Sequence, residues 1–221
     1  MLGHIYRDRG HNWNTHFVDE VTFNRAIHFI SEKRKLNLIC ANQHAKSYSI
    51  EILGVKQRIE FDIVLEHNRL WVDQLLMIIQ GTAGTGKSYL IGAIKNSLIA
   101  ESFPKKSLLL LLAPTGVAAF NISARRIHSV LQIPIKDMSP LKGSRLMTLQ
   151  QDLKHVKYIL IDEMSFIGRN LLQNIDKRLR QAFPKNEKLK FGGRSIILVG
   201  DLRQLAPVLD KSIYACEGIA K

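Results

Sequence analysis

GTAGTGKS, residues 81–88, follows the apolar run LLMIIQ and precedes YLIGAIKNSLIA. It fits G-x-x-x-x-G-K-[ST] without a mismatch, with Gly81 opening the pattern and Gly86, Lys87 and Ser88 closing it. Glycines at these positions let successive backbone N–H groups curl around phosphate oxygens. Lys87 reaches the β- and γ-phosphates of a nucleotide, and the Ser88 hydroxyl is placed to ligate Mg²⁺. A helix starting at Ser88 adds the positive end of its dipole. The eight residues Gly81, Thr82, Ala83, Gly84, Thr85, Gly86, Lys87 and Ser88 form the candidate phosphate cradle. Its strand, loop and helix setting predicts a parallel α/β fold.

Working outward, LLMIIQ is too short for a helix bounded by glycine and reads as a buried strand. Further buried strands are expected at SLLLLLA (107–113), VKYILI (156–161) and RSIILV (194–199), ending at Pro114, Asp162 and Gly200. In open parallel sheets the ligand lies at those C-terminal strand ends. KQRIEFDIVLEHN (56–68) predicts a helix with Ile59, Ile63 and Val64 at helical spacing. PIKDMSPLKGSRLMTLQ (134–150) reads as a surface loop leading into a helix, and PKNEKLKFGG (184–193) as an exposed turn.

The length of 221 residues accommodates one main core and an appendage. Residues 1–50 read as that appendage, partly helical at DEVTFNRAIHFISEKRK with Val21, Ile27, Phe29 and Ile30 as its apolar face. Alternating apolar runs and amphipathic segments begin at Leu53, so residues 51–221 form the main domain. Lysine and arginine exceed aspartate and glutamate by 32 − 19 = 13, a balance that attracts polyanions and puts nucleic acid first among partners. The same excess, dispersed without a long basic run, is also compatible with a general solubility charge. Cys40 and Cys216 form no CxxC pair and no zinc spacing, which points to a reducing compartment. No apolar run approaches the ~20 residues of a membrane span, so no membrane partner is expected. The N-terminus carries no apolar signal core.

The second half of the phosphate chemistry lies in YILIDEM. Asp162 leaves an apolar strand, where a buried carboxylate requires a cation or donors to meet it, and Mg²⁺ shared with Ser88 fits. Glu163, on the other side of the strand end, is available to orient or deprotonate an attacking water, which favours hydrolysis. The alternative is that both acids cap the helix starting in MSFIGRNLLQNI.

GTAGTGKS, APTGVAAFNI, IHS, ILIDEMSFIG and GGRSIILVGDLRQLAPV occur in an order that resembles the petite-integration-frequency family of superfamily 1B 5′→3′ DNA helicases, related to the RecD type. The resemblance covers about Leu53 to Val208. It implies a P-loop NTPase domain with a RecA-like parallel sheet and helices on both faces. It also implies ATP and Mg²⁺ as cofactors, single-stranded DNA as partner, and hydrolysis coupled to translocation and unwinding. Roles in DNA repair, recombination and telomere maintenance follow from it, as does a nuclear or mitochondrial setting. By resemblance Gln57 is similar to the glutamine that reads adenine, and Thr115 and Gly116 fall in motif Ia, which contacts the single-strand backbone. His128 in IHS joins them as a candidate strand contact. Asp162 and Glu163 match motif II; Gly200, Asp201 and Gln204 match motif III, whose glutamine senses the γ-phosphate.

An amide at Gln57 or Gln204 can both donate and accept, as an adenine edge or a phosphate oxygen requires, although an ordinary surface glutamine fits either position. Pro-Thr-Gly is likewise a common strand-to-helix turn, and His128 is equally readable as a packed histidine. Gly54, Arg126 and Ala206 stand where the family usually has Asn, Thr and Pro. The family's second motor domain, with the arginine that stabilises the transferring phosphate, would follow Val208, where 221 − 208 = 13 residues remain. Half a motor is the expectation, with a second motor domain or partner supplying that arginine. A nucleotide- or DNA-binding relic without catalysis and a small-molecule kinase are the other functions compatible with this loop.

Overall fold

The computed structural model describes residues 48–70, 73–101, 108–134 and 138–215. The helix expected at 19–35 lies outside them. Eleven elements carry the fold: α1 (Val55–Leu70), β1 (Leu76–Gln80), α2 (Lys87–Glu101), β2 (Leu109–Ala113), α3 (Gly116–Asn121), β3 (Arg125–Arg126), α4 (Ile127–Val130), α5 (Gly143–Leu153), β4 (Tyr158–Ile161), α6 (Arg169–Ala182) and β5 (Ser195–Gly200). All pairings are parallel, and the strand order is β1-β5-β4-β2-β3.

Both faces of the sheet are covered, which is why its inner strands are continuous apolar runs. In β4, Tyr158 and Leu160 join Phe61 and Val64 of α1 and Leu90, Ile94 and Leu98 of α2. Ile159 and Ile161, offset by one residue, join Leu149 and Leu153 of α5 and Ile175 and Leu179 of α6. The helix-on-both-faces architecture expected from the sequence is present. Among the described residues no helix is long and apolar enough to cross a membrane.

β1 differs from expectation. It is the edge strand, with Leu76 49% and Ile78 58% exposed, and only Ile79 is buried. Period two sends Leu76 and Ile78 to one face and Ile79 to the other, where α1 and α2 cover it. An apolar run carries no record of its place in the sheet, so a half-exposed edge strand reads like a buried one. In α1 the buried side is Phe61, Val64 and Leu65, and Ile59 and Ile63 are exposed.

The segment 184–193 is only partly the exposed turn expected. It forms two short 3₁₀ turns, Pro184–Asn186 and Lys190–Gly193, the second packed on α6. There the Phe191 N–H donates to the Asp176 carboxylate. Gly192 has φ +62°, and a Cβ on it would lie 2.7 Å from the Leu179 carbonyl oxygen. Residues 187–190 remain exposed.

Candidate nucleotide and strand-binding site

The phosphate loop hangs from the C-terminal edge of the sheet. The Gly81 N–H donates to the Gly200 carbonyl at 3.1 Å, tying the loop's first residue to the end of β5. Gly84 and Gly86 both adopt φ +78°, a conformation that side-chain-bearing residues rarely take. The Thr85 hydroxyl donates to the Thr82 carbonyl at 2.8 Å and pins the loop internally. Lys87 opens α2, and its ammonium donates to the carbonyls of Gly81 (2.8 Å) and Thr82 (2.9 Å) across the loop. Thr82, Ala83, Gly84, Thr85, Gly86 and Ser88 are exposed to solvent.

Gln57, far away in sequence, belongs to this site. Its Nε2 donates to the Thr85 carbonyl at 2.9 Å, and its Oε1 accepts from the Gly54 N–H at 3.0 Å. A Cβ on Gly86 would lie 2.8 Å from Gln57 Nε2, so the glycine also makes room for the amide. The clamp leaves one N–H and one lone pair of the Gln57 amide for a ligand. Gly54 supplies the N–H that orients this glutamine.

Asp162 follows β4 and is 7% exposed, with its own N–H donating to the Leu112 carbonyl at 3.0 Å. Burial pushes its carboxyl above the ordinary carboxylate value. The Glu163 backbone N–H and the Lys87 charge oppose that shift, while the Glu163 carboxylate reinforces it. The Lys87 ammonium is thus close enough to the Asp162 carboxylate to favour its ionised form, without overcoming its burial. Among the described residues Asp162 has no ion-pair partner. A buried carboxylate lacking a fixed cation, at the same sheet end as the Ser88 hydroxyl, suits a divalent ion whose other ligands are phosphate oxygens and water.

The capping alternative for the two acids does not hold. Glu163 precedes the 3₁₀ turn Met164–Phe166 but its side chain makes no capping bond there. The N–H groups of Asn170 and Leu171, in the first turn of α6, are instead met at 3.1 and 3.2 Å by the Asp210 carboxylate, from a segment that folds back after β5. Sequence reasoning missed Asp210 because its partners are about forty positions away. Glu163 itself has φ 55° and ψ 50°, the left-handed region, which costs a non-glycine residue ~1 kcal/mol or more. Gly200 packs directly against this turn: its φ is +156°, and an added Cβ would lie 2.8 Å from Met164 N. Gly200→Ala is accordingly expected to lower the melting temperature by several degrees, because backbone rather than a side chain must yield. Thermal denaturation followed by circular dichroism reads the change, and an unchanged midpoint would overturn the packing argument.

The motif III residues split. Asp201 is buried and its carboxylate accepts from the Arg203 N–H at 3.0 Å, so it builds the turn. Gln204 lies exposed in that turn at the same sheet end, and among the described residues its side chain has no hydrogen-bond partner.

The strand-contact candidates sit one strand away. Thr115 caps α3, its hydroxyl accepting from the Ala118 N–H at 3.2 Å, and Gly116 is exposed beside it. His128 is half-buried in α4, its pKa pushed down by burial and then by the Arg126 charge, both of which favour the neutral imidazole. The sequence reading noted Arg126 as a departure from the family pattern and passed over the other neighbours that complete this surface. Arg125 and Arg126 are exposed on β3, with Arg126 Cδ 3.9 Å from the place of a Gly116 Cβ. Phe120, 85% exposed, and Val117 project from α3 without packing partners in the core. Arginines beside an uncovered aromatic ring were the available signal.

Residues 52–216 match the family model described as PIF1-like helicase. The chain belongs to the PIF1-like helicase family. ATP-dependent DNA helicase RRM3 of Saccharomyces cerevisiae is 28% identical over 196 residues, which is 87% of this chain and 26% of that protein. Among solved structures, the Pif1 helicase of Candida albicans superposes with a TM-score of 0.61 at 28% identity, covering 72% of this chain and 34% of the other. Bacteroides Pif1, solved in complex with ADP-AlF3 and single-stranded DNA, superposes with a TM-score of 0.54 at 29% identity over 68% of this chain and 34% of that one. The chain thus spans between a quarter and about a third of these PIF1-like relatives.

Proposed function

We propose that this chain is the nucleotide-binding motor domain of an ATP-dependent DNA helicase, binding ATP·Mg²⁺ at the Gly81–Ser88 loop and single-stranded DNA across α3 and β3. The observation that carries the reading is the loop itself, with the Lys87 ammonium drawn across it by two carbonyl bonds and the buried Asp162 carboxylate at the end of β4. An ammonium on one side and a carboxylate without an ion-pair partner on the other make a site for a phosphate chain and a divalent cation together. The Gln57 clamp on Thr85 supports adenine as the base, because it leaves a donor and an acceptor side by side.

In this mechanism Lys87 holds the terminal phosphates and Ser88 and Asp162 would hold Mg²⁺, which when bound neutralises charge developing on the phosphates. Glu163 orients and deprotonates the attacking water, and Gln204 meets the γ-phosphate. Thr115, Gly116 and His128, with Arg125 and Arg126 added, contact the strand backbone, and Phe120 stacks on a base. A second motor domain or partner supplies the arginine that stabilises the transferring phosphate, a group worth ~10³ or more in rate. Slow hydrolysis by this chain is therefore expected.

The test is ATP hydrolysis with and without single-stranded DNA, beside Glu163→Gln and a titration with a fluorescent ATP analogue. Glu163→Gln is expected to keep analogue affinity within about twofold and to lower turnover at least ~100-fold, the scale of general-base catalysis. Failure of the unaltered chain to bind the analogue would overturn the reading. Phosphate release independent of Glu163 would remove that residue from its role.

A further inference from the structure

The sheet has a second strongly basic end, and the nucleotide site does not use it. Opposite the phosphate loop, at the N-terminal ends of β4 and β5, a cavity of about 550 Å³ is lined by Lys154, Lys185 and Arg194 together with Phe183 and Met147. On the other flank of the 184–190 segment, a second cavity of about 540 Å³ carries Lys177 and Lys188. Lys190, which opens the following 3₁₀ turn, is exposed as well. Among the described residues none of Lys154, Lys177, Lys185, Lys188 or Lys190 has a carboxylate within ion-pair distance. Of the acids nearby, Asp176 is taken by Arg180 at 2.7 Å and by the Phe191 N–H, which leaves Glu187 in the turn and the exposed Asp152 of α5 against five lysines.

We infer that this turn and its two flanking basic cavities are a docking surface for the phosphate backbone of duplex DNA, distinct from the single-strand surface on α3 and β3. The two basic surfaces differ in their chemistry. At α3 and β3, arginines accompany an uncovered ring, Phe120, which suits unstacked bases. At the 184–190 turn the corresponding ring is partly covered. The Arg194 guanidinium lies 4.2 Å over the Phe183 centroid and donates to the Val156 and Gly192 carbonyls, so one face of this ring is already taken by a cation. Arg194 thus holds the turn against the sheet, and the lysines around it present point charges on flexible stems. Point charges without stacking read phosphates and not bases, which is the chemistry of sequence-independent duplex binding.

The inference rests on the DNA-motor reading, and the experiment separates the two. The fourfold variant Lys154→Gln, Lys185→Gln, Lys188→Gln, Lys190→Gln removes four exposed charges. Fluorescence anisotropy measures its binding, and that of the unaltered chain, to a labelled duplex and to a labelled single strand over a range of salt. Duplex Kd is expected to rise about tenfold or more at 0.1 M salt, and the slope of log K against log salt to shrink by up to about 3.6, near 0.9 for each of the four phosphates that a lysine no longer neutralises. Single-strand affinity and binding of the ATP analogue are expected to stay within about twofold. Unchanged duplex affinity and slope would overturn the inference, as would equal weakening on both DNAs, the mark of a general charge effect. Loss of nucleotide or single-strand binding by the unaltered chain would count against the motor reading and leave the duplex comparison intact.

Discussion

Lys87→Ala is expected to weaken binding of a fluorescent ATP analogue by about 100-fold or more. The physical reason begins with the loop, whose glycines aim backbone N–H groups but contribute no full charge. The ammonium of Lys87 is the cation at its mouth, set by two carbonyl bonds of 2.8 and 2.9 Å. Hydrogen bonds to charged groups contribute about 1.5–3 kcal/mol each, and removing two of them from a phosphate chain exceeds the ~2.7 kcal/mol that corresponds to a 100-fold change. Lys87→Arg is expected to recover little of this, because a planar guanidinium does not reproduce the reach of a compact ammonium. Folding is a separate matter: both carbonyls belong to an exposed loop, so the melting temperature of Lys87→Ala is expected to move by no more than about 2–4 °C. Titration and thermal denaturation on one preparation separate the two effects. Unchanged affinity would remove Lys87 from the site.

How much of this was legible in the sequence follows from the range of each signal. The loop was, because its chemistry is compressed into eight consecutive residues. Both sheet faces were, because β2, β4 and β5 are apolar without alternation. The edge position of β1 was not: Leu76 and Ile78 look as apolar as Ile159 and Ile161, and only the strand order exposes them. Gln57 entered through its resemblance to a known motif, whereas its reason for being there is a bond to Thr85, 28 positions on. Asp210 could not be seen, because a carboxylate serving a helix start forty residues upstream leaves no local pattern. Arg126 was legible as a departure beside the expected strand contact, whereas Arg125 and Phe120 were visible letters without a surface to belong to until β3 paired with β2 and set Arg126 beside Ala113. Glu163 was read as an acid after a strand, but its left-handed backbone, and the close approach of Gly200 to the turn it opens, leave no mark in its neighbouring residues.

Asp162→Asn is expected to act in opposite directions on stability and on function. Folding buries this carboxylate, and its pKa rises above the ordinary value because desolvation outweighs the help of the Glu163 N–H and Lys87. A folded pKa above the unfolded one means that the ionised form opposes folding. Its contribution is absent well below the unfolded pKa, near 4, and grows as pH rises through the folded value. Above the folded pKa the unaltered chain carries the full cost, and a neutral amide removes it. The melting temperature of Asp162→Asn without nucleotide is therefore expected to exceed that of the unaltered chain. The difference is expected to shrink as the pH is lowered through the folded pKa of Asp162, because protonation does for the carboxyl what the substitution does permanently. The same change removes a charged oxygen from the pair that would hold Mg²⁺ with Ser88, so the gain in analogue affinity on adding Mg²⁺ is expected to fall at least about tenfold. Differential scanning fluorimetry between pH 4 and 8, with and without nucleotide and Mg²⁺, reads both effects. A melting temperature below that of the unaltered chain at pH 7 would mean that Asp162 is satisfied inside the fold and is not held there at a cost in stability for a cation. A higher one together with an abolished Mg²⁺ response would identify the end of β4 as the place where this domain gives up stability for its chemistry.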